Sequence, residues 1–78
     1  RRVRLATTLL DQPGALEHFL AVIAKLRANI LHVHHNRVER HVPIGRSYVE
    51  VCLETRDTMH TEDILATLRQ DGYNVETL

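Results

Sequence analysis

The run Asp11-Gln12-Pro13-Gly14-Ala15-Leu16 is the first place where this sequence has the residue types for ligand chemistry. Pro13 fixes φ and carries no backbone donor, and Gly14 lets the backbone turn tightly and approach another group closely. Residues 15–28 follow with helical period. A helix start offers unpaired N–H groups and the positive end of the helix dipole, so it can receive a carboxylate. Asp11 can accept from an ammonium, and the Asn29 amide beyond the helical stretch can donate and accept. Together these groups suit a zwitterion such as an amino acid. Each also has a structural alternative. Asp11 can cap the turn with Pro13 opening the helix, and Asn29 can be the helix C-cap. The two kinds of role can coexist.

The other reactive residue types read as structural. Cys52 is the single cysteine, so no internal disulfide forms, and a reducing cytoplasm fits best. It lies in an alternating strand pattern, whereas a catalytic thiol wants a neighbouring base or a helix N-terminus. His32 and His34 share a strand face at a spacing that suits zinc, with His18, His41 and His60 as further donors from elsewhere. No cysteine pair reinforces that set, so these histidines read as solvated or interface residues and no metal site is expected. His35 is expected on the helix side of its strand, buried and neutral. Lys25, the only lysine, belongs to the helical stretch. No catalytic residue is assigned.

Charge and length narrow the function classes. Ten Lys and Arg balance ten Asp and Glu, so no net charge steers the chain toward a polyanion. Tyr48 is the only aromatic on the central strands, too few for a base-stacking RNA platform. The first loop has no Cys pair for copper, and no Arg or Lys lies between residues 5 and 24 to cradle a phosphate. No apolar run approaches membrane-spanning length, so neither nucleic acid nor membrane is an expected partner. A domain of 78 residues buries only about 60% of the surface its unfolded chain exposes, which favours a partner subunit. The sequence lacks an initiator Met and begins almost inside a strand pattern, so it reads as an excised segment of a larger chain or one trimmed at its start.

The elements that must position these residues follow from periodicity. Residues 2–10 alternate, with Val3, Leu5, Thr7 and Leu9 on one face. The helix over 15–28 carries the stripe Leu16, Phe19, Leu20, Ile23 and Arg27. A second strand runs from Ile30 to Val38, with Leu31, Val33 and His35 on one face, and residues 39–45 read as a hairpin loop. Val49, Val51 and Leu53 mark a third strand over 47–54. A second helix covers 60–71, Gly72 terminates it, and 73–78 give a last strand. The chain is therefore α+β, a single ferredoxin-like βαββαβ domain over residues 1–78. Two helices cover one face of a four-stranded antiparallel sheet.

Leu9-Leu10-Asp11-Gln12-Pro13-Gly14-Ala15-Leu16, with Ala28-Asn29-Ile30 and Gly72-Tyr73, resembles the ACT family of small amino-acid sensors. The stretches 29–37, 43–51 and 53–56, with Met59-His60, resemble the C-terminal domain of threonine dehydratase (threonine ammonia-lyase) of the short, single-ACT type. His35-Asn36-Arg37 stands where His-Asp-Arg is commoner, one negative charge fewer. The resemblance implies a non-catalytic regulatory domain at the C-terminus of an enzyme that uses pyridoxal phosphate in a separate catalytic domain. It further implies a homodimer or higher homo-oligomer. The effector, a branched-chain amino acid such as isoleucine or valine, would lie between two domains. Asp11, Gln12, Pro13, Gly14, Ala15 and Leu16 of one copy would face Asn29 and Ile30 of the other. The competing expectations are a purely structural oligomerisation module of the same enzyme, or a sensor attached to another amino-acid metabolic protein.

Overall fold

A computed structural model describes residues 1–36 and 44–78. Strand β1 (Arg2–Leu10) leads to helix α1 (Ala15–Lys25) and strand β2 (Asn29–Asn36). Strand β3 (Arg46–Glu54), helix α2 (Thr58–Gln70) and strand β4 (Glu76–Thr77) follow. The sheet order is β2-β3-β1-β4 and every pairing is antiparallel. This is the expected ferredoxin-like architecture. Val38, Val42 and most of the expected hairpin loop lie outside the described residues. No helix among the described residues is long and apolar enough to cross a membrane.

Period-two alternation builds the core. Leu5 and Leu9 on β1 and Val49, Val51 and Leu53 on β3 are buried, and they meet Phe19 and Ile23 of α1 and Ile64 and Leu68 of α2. Each fully buried side chain of this kind contributes about 1.5–3 kcal/mol through removal of apolar surface from water. The opposite face of the sheet carries Arg4, His34 and Glu50 and has no helix over it.

The larger departures from the periodic reading each have a local reason. The first helix stops at Lys25, because Arg27 turns left-handed (φ 66°) and ends the hydrogen-bonded spiral. Asn29 is therefore not the helix cap; it opens β2 opposite Glu54. A β-bulge between Ile30 and His32 makes Leu31 the extra residue, so Leu31 leaves the face of Val33 and is exposed. The bulge lets Ile30, opposite Leu53, and Val33, opposite Val51, both face the core despite an odd spacing.

The second helix starts earlier than expected because the Asp57 carboxylate caps it, accepting from the His60 backbone N–H at 2.8 Å. Its far end closes as a Schellman motif. Gly72 (φ 94°) donates to the Arg69 carbonyl and Tyr73 donates to that of Leu68. The last strand is only two residues long. Before it, the Thr7 hydroxyl donates to the Asn74 carbonyl at 2.8 Å and Arg69 donates to that of Val75 at 3.1 Å. Residues 74 and 75 are thus tied down by side chains rather than by the ladder.

Candidate functional site

The 11–16 segment connects β1 to α1 at one end of the sheet. The Asp11 N–H donates to the Gly45 carbonyl at 2.9 Å, which anchors the segment to the start of β3. The Gln12 N–H donates back to the Leu10 carbonyl (2.9 Å), and the Gln12 carbonyl accepts from Ala15 (3.3 Å). Gly14 then sits at the helix N-cap with φ 84°, a left-handed conformation that only glycine adopts at no steric cost. No side chain caps this helix. With the Ala15 N–H taken by the Gln12 carbonyl, the Leu16 and Glu17 N–H groups keep the capacity to bind an anion. Glu17 in the same turn opposes an incoming negative charge.

Gln12, Pro13, Gly14 and Ala15 form one wall of a groove of about 780 Å³, a size within the usual range for small-molecule sites. Thr8, Leu10 and Arg46 come from the paired ends of β1 and β3, and His18 stands one turn into α1. Gly72, Tyr73 and Asn74 close the other side. Tyr73 is half-buried, edge-on to Phe19 (ring centroids 5.1 Å apart) and tilted against His18 (6.1 Å). Burial, and secondarily the Asp71 carboxylate, raises the Tyr73 pKa, so the phenol keeps its proton and can donate. Arg46 is the one permanent cation among the described lining residues.

Asp11 and Leu16 do not line this groove. Asp11 is exposed beside it, and Leu16 packs against the hydrophobic core. Asn29 and Ile30 lie at the opposite end of the sheet. Asn29 pairs with Glu54, whereas the loop adjoins the Leu10–Arg46 pair. The strand between spans roughly 25–30 Å at about 3.3 Å per residue. One chain therefore does not bring the two parts of the candidate set together. Ile30 is partly buried against the core, and Asn29 is exposed. Periodicity missed His18, Arg46, Tyr73 and Asn74. They come from different elements, and only Gly72-Tyr73 carried a signal.

A shallower groove of about 280 Å³ lies on the open sheet face. Arg4 bridges Glu50 at 3.0 Å, and the Tyr48 hydroxyl donates to the other Glu50 oxygen at 2.8 Å. The Tyr48 bond, helped by Arg4 and His34, holds the Glu50 pKa below the ordinary glutamate value against the opposing effect of desolvation. His32 and His34 share this face, opposite Cys52 and Glu50. Among the described residues, no three His, Cys, Asp or Glu side chains converge on a point where a metal would sit. His35 shares the helix-side register with Val33 but is exposed, contrary to the expected burial. The β2 edge leaves it uncovered. His60, expected at the surface, is buried instead.

A family profile described as the ACT domain matches residues 3–75. An L-threonine ammonia-lyase of Thermotoga maritima is 45% identical over 75 residues, 96% of this chain and 19% of that protein. An L-threonine ammonia-lyase of Geobacter sulfurreducens is 37% identical over 78 residues, 100% of this chain and 19% of that protein. The chain thus spans about a fifth of the length of these relatives. Prephenate dehydratase from Streptococcus mutans superposes with a TM-score of 0.79 at 22% identity, covering 99% of this chain and 40% of that one. The ACT domain of GTP pyrophosphokinase from Chlorobium tepidum gives 0.75 at 20% identity, covering 99% and 96%.

Proposed function

This chain belongs to the ACT domain family, and from that premise we propose that it is the effector-binding regulatory domain of a threonine ammonia-lyase. The observation that carries the reading is the groove beside an uncapped, glycine-led helix start, with its complementary amide at the far end of the same sheet. A second copy running antiparallel to the first would place Asn29 and Ile30 against the neighbour's loop. The effector carboxylate would then meet the first-turn N–H groups of α1, with Arg46 adding charge at the rim. Its ammonium would meet Asn29 or the Asp11 carboxylate. The aliphatic side chain would lie against Leu10, Pro13 and Ala15. This favours a small aliphatic amino acid, isoleucine or valine.

The reaction itself falls outside this chain. Pyridoxal phosphate needs a lysine to anchor its aldehyde. Lys25 is the only lysine, exposed in the last turn of α1 and lining neither groove. The residues present do not fit the cofactor, so it belongs to a catalytic domain that this one regulates. Titration calorimetry of the assembled protein with isoleucine, valine, threonine and serine tests the reading. Saturable heat with isoleucine or valine, and a higher melting temperature in its presence, is the expected result. No heat and no thermal shift with any of the four would replace the sensor with a purely structural oligomerisation module.

A further inference from the structure

His60 is 4% exposed, and both its ring nitrogens are bonded. The Arg56 backbone N–H donates to Nδ1 at 3.1 Å, so Nδ1 carries the lone pair. The proton therefore sits on Nε2, which donates to the Leu26 carbonyl at 2.7 Å. Leu26 is the C-cap residue of α1, where helix carbonyls lose their intrahelical partners. The backbone below the ring is fixed as well. Asp57 accepts from the His60 N–H, and the next residue, Thr61, bonds the Asp57 carbonyl and the Thr55 hydroxyl. One imidazole thus ties the exit of β3 and the start of α2 to the end of α1. Only one neutral tautomer satisfies both bonds.

Immediately beyond Leu26 the chain turns from α1 into β2. Arg27 is left-handed, Ala28 is buried and Asn29 enters β2. We propose that His60 is a positioning residue for effector binding: it latches the Leu26–Asn29 turn and so sets where Asn29 is presented to the neighbouring copy. The proposal rests on the effector reading above for its consequence, and on the hydrogen-bond geometry alone for the latch.

The test uses the intact protein with three substitutions. His60→Leu removes both ring bonds. His60→Gln keeps a donor at the reach of Nε2 together with an acceptor. Val51→Ala destabilises the core at the sheet centre without touching the turn. Hydrogen exchange of the amides at 26–31 and isoleucine affinity by calorimetry are read for each. The leucine variant should exchange faster at 26–31 and bind isoleucine about tenfold more weakly, a change of about 1.4 kcal/mol. The glutamine variant should recover most of both, and Val51→Ala should leave affinity unchanged. Wild-type exchange at 26–31 in His60→Leu overturns the latch. Equal loss of affinity in Val51→Ala overturns the positioning role. If the wild-type protein binds none of isoleucine, valine, threonine and serine, the effector reading fails while the exchange measurement still decides the latch; if it binds valine and not isoleucine, valine is the ligand read. The imidazole nitrogen resonances of the wild type need no variant. A proton found on Nδ1 overturns the latch whether or not the leucine variant folds.

Discussion

The two helix starts occupy equivalent places in the two βαβ halves and are finished in opposite ways. At α2 the Asp57 carboxylate accepts from the His60 N–H, and Thr61 bonds the Asp57 carbonyl through both its N–H and its hydroxyl. At α1 a left-handed glycine leads in, no side chain caps, and a groove opens alongside. At the capped start the Asp57 carboxylate holds the place an anion would take, and it serves the fold. An uncapped start leaves donors whose partner must come from water or from a bound molecule.

The comparison breaks most visibly at its two leading residues. Gly14→Ala forces a Cβ into the left-handed region, which costs about 1–2 kcal/mol, although open space surrounds that position. Thermal melts should show this loss, and calorimetry should show weaker effector binding, because relief of the strain shifts the first-turn N–H groups. Asp57→Ala should cost about 1 kcal/mol of stability, the usual value of an N-cap, and lower effector affinity much less than Gly14→Ala does, because both ring bonds of His60 remain. An equal loss of affinity in the two variants, with the same assembly state, would erase the distinction between the two starts.

Smaller effects sharpen the picture. Arg27→Gly relieves the left-handed strain at the end of α1, offset in part by greater freedom of the unfolded chain. Denaturant unfolding should give a net gain of a few tenths to about 1 kcal/mol. The smallest effect concerns the open sheet face. Glu50 titrates below the ordinary glutamate range when folded. Its contribution is therefore present above the unfolded value and is lost as pH falls through the folded one. Glu50→Gln should flatten stability between those two values and leave neutral-pH stability nearly unchanged, since the Arg4 partner is largely exposed.

Most of the fold was legible because buried alternation leaves little choice. Val49, Val51 and Leu53 fix β3, and Leu5 and Leu9 fix the face of β1 that meets it. What was illegible depended on partners distant in sequence. The bulge at Leu31 exists only relative to the register of β3. Asn29 resembled a cap because asparagine tolerates a left-handed backbone, yet Arg27 takes that conformation two residues earlier. His60 looked like a surface histidine because its acceptor, the Leu26 carbonyl, lies 34 residues away in the chain. The groove was half legible. Its 12–15 wall is a continuous motif, whereas Arg46, His18 and Tyr73 are assembled by the sheet and helices.

If the loop of one copy and Asn29 of another build one effector site, two singly defective proteins complement each other when mixed. Asn29→Ala should weaken isoleucine binding by about 1–3 kcal/mol through loss of its hydrogen bonds, and Gly14→Val should disable the loop. When the two variants are co-assembled, each mixed pair regains one site made from an intact loop and an intact Asn29. Titration of the mixed assembly should then recover wild-type affinity at up to half of the wild-type stoichiometry. Mixed assemblies that bind no better than either variant alone would show that loop and Asn29 act within one chain or not at all, and would rule out the shared site.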